Sequence, residues 1–139
     1  MTLLKYPIKI LLLLELAVEG HKESLEFLLN NDYPELAAFA NAVRRDKNAF
    51  VWLMNNGYPD LAALTDAIED DYDAYMWLKK NNRDFYIVLA DAVQPTKYAV
   101  QYLQKRNLKI FLRLCIKIKA VKDQQALDST DYHKTHPFS

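Results

Sequence analysis

Three histidines, one cysteine and one dense run of acids are the side chains of this 139-residue sequence that could take part in chemistry. His133 and His136, separated by Lys134 and Thr135, are spaced to offer two imidazoles to one metal ion. Two ligands on a segment without hydrophobic periodicity make a weak site, because zinc centres draw at least three ligands from the protein. His21 stands alone where a helix is expected to begin. Cys115 lies within the apolar stretch Phe111-Leu112-Arg113-Leu114-Cys115-Ile116 and is expected to be a buried, inert thiol. Being single, it forms no internal disulfide, which suits the reducing cytoplasm as the compartment. The run Glu69-Asp70-Asp71-Tyr72-Asp73 lacks the ligand spacing and the glycine of a calcium loop, and reads as a solvated turn that starts a helix. A glycine-rich phosphate loop, a nucleophile elbow and a cysteine cluster are all missing from the sequence. The expectation is a non-enzyme with no catalytic residue, no metal site and no cofactor.

What remains is the chemistry of binding. Aromatic residues recur at Phe27, Trp52, Trp77 and Tyr102, and such a row can stack on bases or on a peptide. Each one directly precedes a leucine inside an apolar stripe, so packing is the expected role. A second row sets Ala38, Ala63 and Val88 beside Asn41, Asp66 and Asp91. If turned outward on helices, small side chains flanked by hydrogen-bonding groups would grip a protein partner; these six residues are the candidate partner-binding site. A third row, Lys109, Arg113 and Lys117, follows i, i+4 spacing along one helix face and is the alternative site, for nucleic acid or an acidic partner. It belongs to a charge division along the chain: nine Lys or Arg against fifteen Asp or Glu up to Ala92, then nine against three from Val93 onward. Overall neutrality argues against coating a phosphate backbone, so nucleic acid is the less favoured partner. The polar face that a terminal helix needs for solubility is the plainer use of the basic row.

These rows need elements to carry them, and composition and repetition say which. Half of the residues are apolar and 26% are charged, as in a globular protein, while two glycines and five prolines leave few hairpin turns for an all-β fold. The chain repeats itself every 25 residues over 17–41, 42–66, 67–91 and 92–116, keeping leucine at 28, 53, 78 and 103 without any insertion. Within each unit an apolar stripe at the helical period closes near Asn31, Asn56 and Asn81, where asparagine is expected to take the left-handed conformation. Pro34 and Pro59 then open a second helix, with an acid following each near the positive end of the dipole. Paired helices are predicted over 21–31 and 34–44, 47–56 and 59–69, 72–81 and 84–93, and 96–106 and 108–121. A lone helix over 4–18 precedes them. Its apolar run, Leu11 to Leu14, is too short and too charged, with Lys9 and Glu15, to be a membrane span or a signal peptide. The expected fold is an all-α superhelix, or solenoid, forming a single domain over 1–122, with a flexible C-terminal tail over 123–139.

Part of each unit resembles the ankyrin repeat. Gly20-His21-Lys22-Glu23-Ser24-Leu25-Glu26-Phe27-Leu28-Leu29 is similar to that family's second-helix signature, and Ala49-Phe50-Val51-Trp52-Leu53-Met54-Asn55-Asn56-Gly57 matches its end. The unit here is 25 residues and has no Thr-Pro-Leu-His opening, so the projecting β-hairpin of that family is expected to be absent. The resemblance implies a stacked helical array that binds proteins. Two further expectations come from the ends: Leu11 to Leu14 and the outward Leu112 and Ile116 would leave apolar caps that invite a homodimer.

Overall fold

A computed structural model describes residues 2–135, with side chains placed as far as Ser129. Among these residues a 3-10 turn, Leu3–Lys5, leads into nine helices: α1 Ile8–Val18, α2 Lys22–Asn30, α3 Pro34–Val43, α4 Lys47–Asn55, α5 Pro59–Ile68, α6 Tyr72–Lys80, α7 Asp84–Val93, α8 Lys97–Lys105 and α9 Lys109–Thr135. No strand occurs among the described residues. The short helices are punctuated by side chains at 25-residue intervals. His21, Asp46 and Asp71 occupy the N-caps of α2, α4 and α6, and each accepts a backbone N–H of the first turn. Asn31, Asn56 and Asn81 each donate the side-chain amide to the carbonyl four residues back, at 2.8 Å. The left-handed residue is the next one along, Asp32, Gly57 or Asn82, rather than the asparagine expected to adopt it. The following N–H then returns to the leucine carbonyl of the helix, as from Tyr33 to Leu28 and from Tyr58 to Leu53, both at 2.9 Å. Pro34 and Pro59 stand at the helix starts assigned to them.

The helices fall into two populations by burial. Each of α2, α4, α6 and α8 buries only two residues, a small one and a leucine: Ser24 and Leu28, Ala49 and Leu53, Ala74 and Leu78, Ala99 and Leu103. The helices α3, α5 and α7 bury seven or more of their ten residues. Neighbour relations explain the difference. α1 packs on α3, α3 on α5, α5 on α7 and α7 on α9, while each short helix sits only against the two inner helices that precede and follow it. α9 also packs on α1, so the inner series closes on itself instead of ending in two free caps.

The closed circuit is filled by side chains in strict register. Leu14, Phe39, Leu64, Leu89 and Leu114 are all buried, as are Leu11, Leu36, Leu61, Tyr86 and Phe111, and Val18, Val43, Ile68, Val93 and Ile118. These three sets share the 25-residue spacing, so α1 is a fifth inner helix and not an unrelated leader. Its leucine run is thereby accounted for: Leu11 and Leu14 face the interior, Leu12 and Leu13 are half-buried, and α9 covers what a free end would expose.

α9 departs from expectation at its far end. It continues to Thr135, where the sequence reading stops the helix at 121 and leaves 123–139 loose. That stretch has no apolar stripe, yet it is rich in good helix formers and carries two i, i+4 pairs, Lys119 with Asp123 and Gln124 with Asp128. Lys122 and Gln125 also donate to the Val43 carbonyl at the end of α3, and Lys122 reaches Glu69 just beyond α5. His136 lies outside the described residues, and so does the side chain of His133.

Candidate functional site

The six-residue row is divided by the fold. Ala38 and Ala63 are 9% exposed and Val88 8%, so the three small residues face packing and not solvent. The reason is the flanking of each inner helix on both sides: α3 meets α2 and α4, α5 meets α4 and α6, and small side chains let the outer helices approach closely. Asn41, Asp66 and Asp91 are half-buried at the rim. Asp66 and Asp91 there border grooves between successive helices.

One groove, of about 470 Å³, has Ala42, Phe50, Val51 and Thr65 as its apolar side and Arg45, Asp66 and Glu69 at its edge. Its counterpart 25 residues on, of about 330 Å³, sets Ala67, Tyr75 and Ala90 against Asp70, Asp91 and Gln94. The two acids of the row are used differently. Asp91 accepts hydrogen bonds from the Tyr75 hydroxyl, at 3.3 Å, and from the Tyr98 hydroxyl. Burial and this carboxylate together push both phenols above their usual range. Asp66 has no hydrogen bond or ion pair to its carboxylate among the described residues. Burial, with Asp71 and Glu69 close by, raises its pKa above the ordinary carboxylate value. Glu69 behaves in the opposite way: burial opposes its ionisation, but Lys122 and Arg45 hold its carboxyl below the usual range.

The basic row is drawn into the closure of the circuit. Arg113 Nη2 lies 3.2 Å from Glu15 Oε1, and Lys117 Nζ lies 3.4 Å from Glu19 Oε1, so α9 and α1 are clasped by two ion pairs across their seam. Lys109 is exposed at the start of α9. Two of the three cations are therefore paired with acids of α1. The aromatic row is intermediate: Phe27 is exposed, and Trp52, Trp77 and Tyr102 are half-buried. Trp52 stacks on Tyr58 with ring centroids 6.1 Å apart, and the Arg106 guanidinium lies 3.7 Å from the Tyr102 ring centroid.

A cluster that no single stretch of sequence announces lies at the other end of the circuit, where α3, α5 and α7 begin. Tyr6 donates to Glu35 Oε2 at 2.6 Å, and Arg83 approaches Asp60 Oδ2 at 3.7 Å, around a cavity of about 230 Å³ reached also by Tyr58 and Tyr86. Glu35 and Asp60 are buried acids in the first turns of their helices, where the dipole favours negative charge. Burial and Glu35 push the Tyr6 phenol upward, and burial and Asp60 do the same to Tyr86. Proline followed by an acid was the only local signal of this cluster. Its carboxylates are engaged by a phenol and a guanidinium. Elsewhere, His21 Nδ1 is occupied by Ser24 at the start of α2. Cys115 is buried against the Leu89 carbonyl, and burial pushes its thiol up to about 12. No group of three or more potential metal ligands occurs among the described residues, and no helix there is long and apolar enough to cross a membrane.

No protein-family model matches this chain, and no curated protein or solved structure matches it significantly.

Proposed function

We propose that the chain is a non-catalytic protein-interaction module of the cytoplasm: a short helical-repeat solenoid of four ankyrin-like hairpins without the β-hairpin, closed end to end by its terminal helices. The observation that carries the reading is the groove beside α4. Val51 and Met54 are 52% and 50% exposed on the outer surface of that helix, and Phe50 and Val51 wall the groove whose edge holds the unpartnered Asp66 carboxylate. Apolar surface next to a carboxylate without a protein partner suits a partner segment that brings an aliphatic or aromatic side chain and a hydrogen-bond donor. Methionine adapts to irregular surfaces, which favours its use in such contacts. Asp66 keeps its place in the candidate site; Ala38, Ala63 and Val88 serve it indirectly, by letting the outer helices sit close.

The test is recovery of a stoichiometric partner with tagged protein from its native cells, for the wild type and for Val51→Glu. The reading expects the partner to fall by at least about tenfold in the variant, a loss of about 1.4 kcal/mol or more, with the helical circular dichroism unchanged. Equal recovery by both proteins would place the interaction elsewhere.

A further inference from the structure

Four of the five seams of the inner circuit carry an outer helix: α2 over α1 and α3, α4 over α3 and α5, α6 over α5 and α7, α8 over α7 and α9. The fifth seam, between α9 and α1, has none among the described residues. The inner helices change character at that seam. At one 25-residue register position they carry Leu16, Asn41, Asp66, Asp91 and Ile116. The residue is polar in the three helices flanked by outer helices on both sides, and aliphatic in the two that border the uncovered seam. Leu16 is 41% exposed and Ile116 60%. Ile8 is 65% exposed, and with half-buried Leu12 and Leu16 it makes an i, i+4, i+8 stripe along α1. Glu15 and Glu19 lie beside this stripe and reach across to Arg113 and Lys117, so the stripe borders the seam. An isolated exposed leucine is ordinary, but three aliphatic side chains in line along α1 at an uncovered seam, with Ile116 exposed on α9, are not.

The polar groups at the seam add to this. The Glu15 side chain is 6% exposed, yet its Oε2 has no hydrogen-bond partner, while Arg113, bound to the other oxygen, is 61% exposed. Lys109 makes no ion pair among the described residues. Counting Lys109, Arg113 and Lys117 of α9 against Glu15 and Glu19 of α1, the facing sides carry one positive charge in excess.

We propose that the α9–α1 seam is a berth for an amphipathic, acidic-flanked helix of a partner protein, lying along the aliphatic stripe of α1 beside the Arg113–Glu15 and Lys117–Glu19 pairs. Its apolar face rests on Ile8, Leu12, Leu16 and Ile116, and its acidic flank faces Lys109 and Arg113. The outer helices supply the pattern for the apolar face, a small residue four places before a leucine, as in Ala49 and Leu53. The excess positive charge supplies the flank, because it attracts acids and sets a second copy of the same seam against its own sign. The berth is separate from the groove at Asp66, and either can fail without the other.

The experiment is fluorescence polarisation with a labelled, helix-stapled peptide of about three turns, carrying alanine and leucine at that spacing and glutamate elsewhere. A version with lysine for glutamate is the comparison. The berth predicts saturable binding, weakened at least about tenfold by the Leu16→Glu/Ile116→Glu double variant, by about threefold by Lys109→Glu and at least about tenfold by the lysine peptide, with Val51→Glu binding as wild type. Lys109 is exposed, so its variant keeps the test decisive if the double variant does not fold. Binding that ignores both the double variant and Lys109→Glu overturns the proposal, and so does a lysine peptide that binds equally well. A protein that sediments as a dimer and is split by Leu16→Glu overturns it too, by giving the seam to a second copy.

Discussion

Single side chains show how this chain separates stability from binding. Leu64 is 1% exposed in the middle of the circuit, and Leu64→Ala should destabilise the protein by about 2–5 kcal/mol through lost transfer energy and a residual cavity; urea denaturation measures it. Asp66 should behave in the reverse sense. Its folded pKa is raised, so the fold favours the neutral acid, and its ionisation weakens the fold as pH rises through the unfolded value of about 4. Asp66→Asn should therefore unfold at higher urea than the wild type at neutral pH, and the advantage should vanish at lower pH. A midpoint difference that does not change with pH would mean that the acid is not held against its charge. Ala63 sets the limit of reading a surface from sequence. An arginine there, on an outward face, would block a partner and leave the fold intact; at 9% exposure beneath packed helices it should abolish the folded state, seen as lost helical dichroism.

At the scale of elements, repetition made the helices legible, because the same local physics is written several times. Polar caps at His21, Asp46 and Asp71, prolines at Pro34 and Pro59, and leucines at 28, 53, 78 and 103 place the starts and inner faces within a residue or two. Asp46 accepts two backbone N–H groups, from Asn48 and Ala49, so Asp46→Ala should destabilise by about 0.5–2 kcal/mol, measurable as a lower melting temperature. Two features escaped the reading for local reasons. The asparagines cap by their side-chain amides and pass the left-handed conformation to the next residue, a choice that residue type alone leaves open. The extension of α9 depends on i, i+4 polar pairs and on the Val43 carbonyl, neither of which produces hydrophobic periodicity.

At the scale of the whole molecule, closure decides the behaviour. An open solenoid loses an end unit without losing the rest, since each repeat contacts only its neighbours. Here α9 packs on α1 as well as on α7 and α8, so removing 109–135 should unfold far more than that helix; the loss of ellipticity should greatly exceed the deleted share. The clasp should show coupling of its own. Arg113→Ala strands the buried Glu15 carboxylate and should destabilise more than Glu15→Gln/Arg113→Ala, in which no charge is left behind. Sequence by itself determined the helical class, the leucine core positions and the buried Cys115, because periodicity, capping chemistry and the scarcity of glycine act over a few residues. It also contained the fifth inner helix, in Leu11, Leu14 and Val18, although four consecutive leucines mask that register. Only the tertiary structure decided that the ends meet, that Arg113 and Lys117 clasp α1, and that Ala38, Ala63 and Val88 are covered. Arg113 and Glu15 are 98 residues apart in sequence, and their contact depends on how all the helices between them pack. No local pattern records that packing.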